Sequence, residues 1–190
     1  MIEAVTLDDF IEAPVGRYVV LPTCVAWVES PSLGGLVGWG RPDVETTRQN
    51  LETFRAMWSR DVAPRMHVVL DGGRLDSVLP ESMAVLVAWA AKRRLELIEK
   101  IALQVGVIPE GIAGFALAGI LSTFEASHPY RIRSSSRDAM RTAVPDDEAR
   151  ADAISAEVEA ITVKAMGATR EMIELHRLIR SRAASLTVDE

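Results

Sequence analysis

The residues best placed to do chemistry lie in one short stretch of the chain. It directly follows the apolar run 66–70 and reads Asp71-Gly72-Gly73-Arg74-Leu75-Asp76-Ser77. Two carboxylates, a guanidinium and a hydroxyl at this spacing could bind a cation, accept a phosphoryl group or pair with one another. If 66–71 is a strand, Asp71 lies at its carboxyl end, where open α/β sheets place their functional sites. We favour the plainer interpretation, in which Asp71 ties down a turn by accepting backbone N–H groups and Arg74 pairs with Asp71 or Asp76.

Other residue patterns do not indicate an enzyme. The three histidines are not spaced with one another, or with a cysteine or carboxylate, as metal ligands are. No glycine-rich dinucleotide loop, Walker motif or Gly-x-Ser-x-Gly elbow is present. The single cysteine, Cys24, lies in an apolar run, which favours a buried structural thiol in a reducing, cytoplasmic compartment. We therefore expect no cofactor and no metal, and an enzyme centred on Asp71, Arg74 and Asp76 is the least favoured hypothesis.

Length and composition are those of one ordinary globular domain with an appendage. The chain has 190 residues, of which 48% are hydrophobic and 25% charged, and its net charge is −6. Residues 1–144 carry 15 basic and 17 acidic side chains, and residues 145–190 carry 6 and 10. Neither part offers the basic surface that nucleic acids require. No apolar run reaches membrane-spanning length, so we expect no membrane contact.

Apolar periodicity predicts strands that alternate with helices. The predicted strands are 18–21, 25–28, 66–71, 101–107 and 130–133, and the glycine-rich stretch 34–40 is either a further strand or a hairpin return. The predicted helices are 43–60, 80–97, 110–125 and 136–144, the last capped by Ser136. This order indicates an α/β domain over residues 1–144, with a mostly parallel or mixed sheet of four to five strands, crossover helices and an antiparallel hairpin at its front. Four tryptophans, which we assign to the core rather than to a small-molecule pocket, lie on these elements: Trp27, Trp39, Trp58 and Trp89.

A long helical segment is predicted for residues 145–184. Apolar or small residues recur there at alternating steps of four and three, as in a coiled-coil seam: Ile154, Val158, Ile161, Ala165, Ala168, Met172, Leu175 and Ile179. The same stripe would let the helix pack back on its own domain, and Gly167 could divide it into two helices. A straight helix over 151–181 would be about 45 Å long, more than a domain of this size covers easily. We therefore favour self-association as a homodimer, through Ile154, Val158, Ile161, Met172, Leu175 and Ile179.

The order of elements in the middle of the chain is informative. A strand at 67–71, a loop at 72–79, a helix at 80–97 and a strand at 101–107 together resemble the STAS fold of the anti-sigma-factor antagonists. STAS domains of the phosphoswitch kind place Asp-Ser-Ser-Gly at the start of that helix, where this chain has Leu79-Pro80-Glu81-Ser82. The resemblance thus implies a module without the serine phosphoacceptor, in which Glu81 supplies a fixed negative charge. The implied signal or partner loop consists of Asp71, Arg74, Asp76, Ser77, Glu81 and Ser82.

The end of the chain carries a second resemblance. Leu175, Leu178 and Ile179 have the spacing of an amphipathic first helix, and the chain then ends in Leu186-Thr187-Val188-Asp189-Glu190. This is similar to the entry into the DNA-binding domain of AraC-type transcription regulators, where a hydroxyl and an acidic residue open the second helix. The resemblance implies that residues 185–190 begin a helix-turn-helix module that is cut off.

Together the two resemblances imply a function. The chain would be the N-terminal regulatory, sensing and dimerisation part of a bacterial-type transcription regulator. It would pass a signal from an unknown small ligand or protein partner to DNA, and only through the absent helix-turn-helix module. The alternative is a stand-alone protein-interaction module in a partner-switching pathway, without serine phosphorylation.

Overall fold

The fold is built on one sheet with helices on both of its faces. The computed structural model describes residues 1–58, 62, 64–109, 111, 114, 118 and 128–186, and in the last helix it describes side chains as far as Met172, together with Glu174. The strands of this part are β1 Ile2–Glu3, β2 Arg17–Leu21, β3 Cys24–Ser30, β4 Leu33–Gly40, β5 Met66–Leu75, β6 Ile101–Val107 and β7 Tyr130–Arg133. Its helices are α1 Leu7–Glu12, α2 Val44–Ala56, α3 Pro80–Lys92, α4 Arg94–Lys100, α5 Ser136–Ala143 and α6 Glu148–Leu186.

The seven strands lie in the sheet in the order in which they occur in the chain. β2, β3 and β4 pair antiparallel, whereas β1 with β2, and β4 through β7, pair parallel. The predicted α/β class, with a mostly parallel sheet, an antiparallel hairpin and a long C-terminal helix, is therefore confirmed. The sheet has seven strands where four to five were expected. One reason is that β1 is two residues long with exposed side chains, so it shows no apolar alternation.

The interior strand β3 is buried on both faces of the sheet. Val25 and Trp27 pack on one face and Ala26 and Val28 on the other, and all four side chains are fully buried. Residues of α5 and α6 cover the first face, and residues of α1 to α4 cover the second. Two hydrophobic layers therefore enclose the sheet, and α6 belongs to one of them.

The glycines of β4 allow Trp27 to lie against the sheet. A Cβ atom at Gly35 would stand 2.6 Å from the Trp27 ring and 2.3 Å from the carbonyl oxygen of Val69. Trp39 joins Trp27 in the first layer and Trp58 lies in the second, as their assignment to the core predicts.

β5 runs four residues further than the sequence predicts. The expected strand ended at Asp71, but β5 continues to Leu75 because β4 also continues. Beyond an irregularity in the pairing, Trp39 and Gly40 pair with Arg74 and Leu75. Asp71 and Arg74 are therefore held in a strand and not in a free turn.

Two helix predictions need correction. The helix predicted at 80–97 is divided at Arg93, whose backbone leaves the helical conformation at φ −107° and ψ 15°. Ser135, and not Ser136, caps α5, because the Ser135 hydroxyl accepts the N–H of Asp138 at 3.1 Å. The helix predicted at 110–125 lies outside the described residues, except for positions 111, 114 and 118.

α6 is one continuous helix of 39 residues, about 58 Å long at ~1.5 Å per residue. Asp147 caps its first turn, with Oδ1 accepting the N–H of Arg150 at 2.9 Å. Gly167 does not divide the helix, and no atom lies within 4 Å of the place where its Cβ would stand. The interruption that the sequence suggested at this glycine is absent from the described backbone.

Candidate functional site: a latch between the fifth strand and the last helices

Asp71 joins the end of β5 to the start of α5. Its side chain is buried, with 4% exposed. Oδ1 accepts the backbone N–H of Gly73 at 2.9 Å, and Oδ2 accepts the hydroxyl of Ser136 in the first turn of α5. The expected backbone tie is therefore present, and a side-chain bond across 65 residues of sequence is added to it.

Arg74 makes the second connection from β5. The expectation that it pairs with Asp71 or Asp76 is wrong, because its guanidinium donates to the carboxylate of Glu159 in α6. The longer strand explains the difference, since it directs Arg74 toward the helix layer instead of back along a turn. We call Asp71, Arg74, Ser136 and Glu159 the latch, because they connect one strand end to both C-terminal helices.

The other residues of the predicted partner loop lie elsewhere. Asp76 is exposed, and its backbone N–H donates to the carbonyl of Gly40 at 2.8 Å. Ser77 is half-buried, and Glu81 is exposed in the first turn of α3. Ser82 is buried and donates its hydroxyl to the carbonyl of Pro42 at 3.1 Å. The six predicted residues therefore do not share one surface, and the latch contains only Asp71 and Arg74 of them.

The first half of α6 is part of the hydrophobic core. Ala151, Ile154, Val158 and Ala165 are buried in the layer that contains Trp27. Their steps of three, four and seven place them on one face of the helix. Thr162, also fully buried on this face, donates its hydroxyl to the carbonyl of Val158 at 2.8 Å. The helix is thus fixed to the sheet over about 15 residues.

This packing corrects part of the dimerisation prediction. Ile154 and Val158 are 5% and 7% exposed on their own domain, and Ile161 is half-buried against the same layer. They hold α6 on the sheet and are not available as a seam for a second helix. Met172 is 53% exposed, whereas the side chains of Leu175 and Ile179 lie outside the described part, so these three residues remain a prediction.

Ion pairs border the docked half of α6 on the α5 side. Asp152 accepts from Nε and a terminal nitrogen of Arg141, both at 2.8 Å, and from Arg137. Hydrogen bonds from Arg141 and Arg137 hold the pKa of the Asp152 carboxyl well below its usual range. Arg141 also pairs with Glu148 at 2.7 Å. Exposed pairs are weak singly, but bidentate geometry on a shared carboxylate fixes the orientation of α6 relative to α5.

A second set of ion pairs ties α6 to the N-terminal strands. Arg150 pairs with Glu29 at the end of β3, at 2.6 Å. The N-terminal amine pairs with Glu157, and Lys164 lies 3.8 Å from the Glu3 carboxylate. Because the partners lie on β3, on β1 and at the N-terminus, the first half of α6 is held along its length and not at one point.

The environment of α6 changes near Gly167. Met166 is half-buried, whereas nearly all described side chains after it are exposed, namely Ala168, Arg170, Glu171, Met172 and Glu174. The helical backbone continues to Leu186. About 20 residues, or ~30 Å of helix, therefore extend beyond the docked half.

Three residues of the site were not found by sequence reasoning. The sequence predicts Ser136 only as a helix cap, and it does not single out Glu159 or Asp152. One signal was available: Arg137 and Arg141 are four apart on α5, and an acidic helix start follows them. Their common partner could not be identified from spacing alone, because it lies on a different helix.

The described residues do not present the groups of a metal site. Among them, no cluster of three histidine, cysteine or acidic side chains could hold an ion. Burial raises the pKa of the Cys24 thiol far above its ordinary value, so this sulfur is protonated at neutral pH. None of the described helices is both long and apolar enough to span a membrane.

Comparison with known proteins adds one similarity in shape. No protein-family model and no curated protein matches the chain. Among solved structures, the fold is similar to the crystal structure of an uncharacterised DUF3478-family protein with a SpoIIAA-like, that is STAS-like, fold from Shewanella loihica PV-4. The identity is 13%, the match covers 58% of this chain and 83% of the other, and the TM-score is 0.44. A likeness at this level says nothing about what either protein binds.

Proposed function

We propose that this chain is a non-enzymatic regulatory domain of a dimeric transcription regulator, and that α6 is its output. In this proposal the docked half of α6 responds to the state of the sheet domain, and the projecting half pairs with the same helix of a second copy. The finer part, a helix-turn-helix DNA-binding module after residue 190, is supported by the similarity of residues 174–190 to the entry of AraC-type DNA-binding domains.

The observation that carries the proposal is the contrast along one stripe of α6. Ala165 is 5% exposed, whereas Met172, two turns later on the same stripe, is 53% exposed. Leu175 and Ile179 continue the stripe in the sequence. Most helical stability in proteins comes from packing of an apolar face, so a partner on this stripe would stabilise the projecting half.

A second copy is the occupant that this stripe fits best. A seam of apolar residues repeating every three and four positions is self-complementary when two identical helices meet about a two-fold axis. Regulators that read two half-sites of DNA use the same symmetry. The latch supports a regulatory role as well, because it joins the carboxyl end of β5 to the helix that would dimerise.

Light scattering on the 190-residue protein tests the proposal. We expect a dimer for the unchanged chain and a shift toward monomer for Met172→Asp and Leu175→Asp, because a charge in the seam would have to be desolvated. The matched control is Val163→Asp, since Val163 is also apolar, 57% exposed and on α6 but lies off the stripe.

Two results would contradict the proposal. A monomeric unchanged protein would mean that the projecting half does not bind its own copy, and would leave a different protein as its partner. Dimers in both stripe variants would mean that the interface lies outside the stripe. Loss of the dimer in Val163→Asp as well would show a general effect of charge and not a seam.

A further inference from the structure

A pocket of about 190 Å³ lies at the carboxyl ends of β4, β5 and β6, beneath α2 and α3. This edge of a parallel sheet is where α/β proteins usually bind ligands. The pocket wall is mainly aliphatic, and its main apolar contributors are Leu36, Leu51, Leu70, Leu75, Leu86 and Val107. A smaller cavity of about 70 Å³ shares four of these leucines and extends the apolar surface toward Trp89.

One polar atom in the pocket wall lacks a partner. The hydroxyl oxygen of Thr47 is buried and makes no hydrogen bond within the described part of the chain. The neighbouring polar groups are already paired: Cys24 donates to Asn50 at 3.2 Å, and Ser82 donates to the Pro42 carbonyl. A buried hydroxyl without a partner is unfavourable, so a ligand that bonds to Thr47 would remove this cost.

The charges around the pocket exclude most ions. Among the described residues, no lysine, arginine or histidine lines it, so an anion would have no counter-charge. Asp71 is the acidic residue of the wall, and its oxygens already accept from Gly73 and Ser136. A neutral ligand is therefore favoured.

The volume limits the size of the ligand. A cavity of about 150 Å³ lined by aliphatic and aromatic side chains binds benzene. We propose that this pocket binds a neutral, mainly apolar molecule of one ring or equivalent size, with one hydroxyl or carbonyl group that bonds to Thr47.

The pocket is also adjacent to the latch. Asp71, Gly72 and Leu75 line it, and Arg74, which pairs with Glu159 of α6, lies between them on β5. A ligand that displaces this segment would therefore act on the connection to α6. This coupling of the pocket to α6 rests on the proposed function, whereas ligand binding itself does not.

Calorimetric titration with benzyl alcohol, toluene and benzoate tests the binding step. We expect benzyl alcohol to bind with a Kd of about 1 mM or below, toluene to bind about fivefold more weakly because it lacks the hydroxyl, and benzoate not to bind. In Thr47→Val, benzyl alcohol should bind no better than toluene. Thr169→Val, the same change on α6, should leave both affinities unchanged.

Filling the pocket provides a second, independent variant. A Cβ at Gly38 would meet Leu75 at 3.5 Å and the Asp71 carbonyl oxygen at 3.9 Å, both ordinary contacts, so Gly38→Val is expected to fold. It should abolish benzyl alcohol binding. Absence of binding by the unchanged protein, or an unchanged affinity in both pocket variants, overturns the proposal.

The binding step and the proposed function can fail separately. Met172→Asp should bind benzyl alcohol like the unchanged protein, whatever its mass in solution. If light scattering finds no dimer while the affinity for benzyl alcohol still depends on Thr47, the proposed role of α6 is wrong and the binding site remains. If benzyl alcohol binds but leaves the monomer–dimer equilibrium unchanged, the coupling to α6 is overturned and the binding site remains.

Discussion

Ile154→Ala decides whether the first half of α6 belongs to the core of its own domain. Ile154 is 5% exposed in the layer that contains Trp27. The substitution removes three carbons, worth about 0.8 kcal/mol each in lost burial, and leaves a cavity that the surroundings fill only partly. The expected loss is about 3 kcal/mol of unfolding free energy. For a chain of this length, that lowers Tm by about 6–12 °C.

The assay is thermal unfolding followed by circular dichroism at two protein concentrations about tenfold apart. If Ile154 packs within its own chain, the loss in Tm is the same at both concentrations. If it forms a seam between chains, the loss depends on concentration, because association stabilises by mass action. Val163→Ala is the control and should change stability by no more than about 0.5 kcal/mol, since Val163 is 57% exposed and lies off the stripe. A Tm for Ile154→Ala within about 2 °C of the unchanged protein would refute the docking of α6.

Three further predictions concern the latch, the helix and one buried histidine. Asp71→Ala should lower the free energy of unfolding by about 1–3 kcal/mol, because it leaves the half-buried hydroxyl of Ser136 and the backbone N–H of Gly73 without their acceptor; an unchanged melting midpoint would contradict this. Gly167→Ala should stabilise α6 by up to about 1 kcal/mol, because no atom obstructs a Cβ there, and lower stability would mean that the glycine is needed for a bend. Burial lowers the pKa of His128, which bonds to Gln104 at 2.9 Å. The pKa of this histidine in the unfolded chain is about 6.5. Its contribution to the free energy of unfolding should therefore be fully present above that pH and decrease as the pH falls below it. In chemical denaturation, the His128→Gln variant should lack this part of the pH dependence.

The order of elements was predictable because apolar runs and helix caps are local signals. Asp43, at the start of the predicted helix 43–60, caps α2 with its carboxylate accepting the N–H of Thr46 at 2.8 Å. The end of β5 was not predictable, since it is set by the partner that β4 offers to Arg74 and Leu75. Whether a strand continues past a glycine pair depends on pairing with residues more than thirty positions away, and a single-sequence pattern does not contain that information.

The candidate site was predictable in its location but not in its partners. The position of Asp71 at the end of an apolar strand indicated a site, and that inference needed only local sequence. Its bond to Ser136 spans 65 residues, and the pair between Arg74 and Glu159 spans 85. Such contacts depend on how α5 and α6 cross the sheet. The pocket near Thr47 was not anticipated for the same reason, because its wall is assembled from four strands and two helices.

The stripe of α6 shows why periodicity alone could not choose between a seam and a core helix. A face with apolar residues every three or four positions fits a partner helix or a sheet equally well. Ile154 and Val158 pack on the sheet face that carries Trp27, so this part of the stripe belongs to the core of its own domain. The predicted length of the helix was the more informative signal: it indicated a helix too long for its domain to cover, and the domain covers only about half of the 39 residues. A continuous helix that is fixed at one end acts as a rigid lever: a tilt of about 10° in the docked half would move the end of a ~30 Å projection by about 5 Å. In the proposed dimer, small changes at Arg74 and Glu159 would therefore alter how the two projecting helices meet.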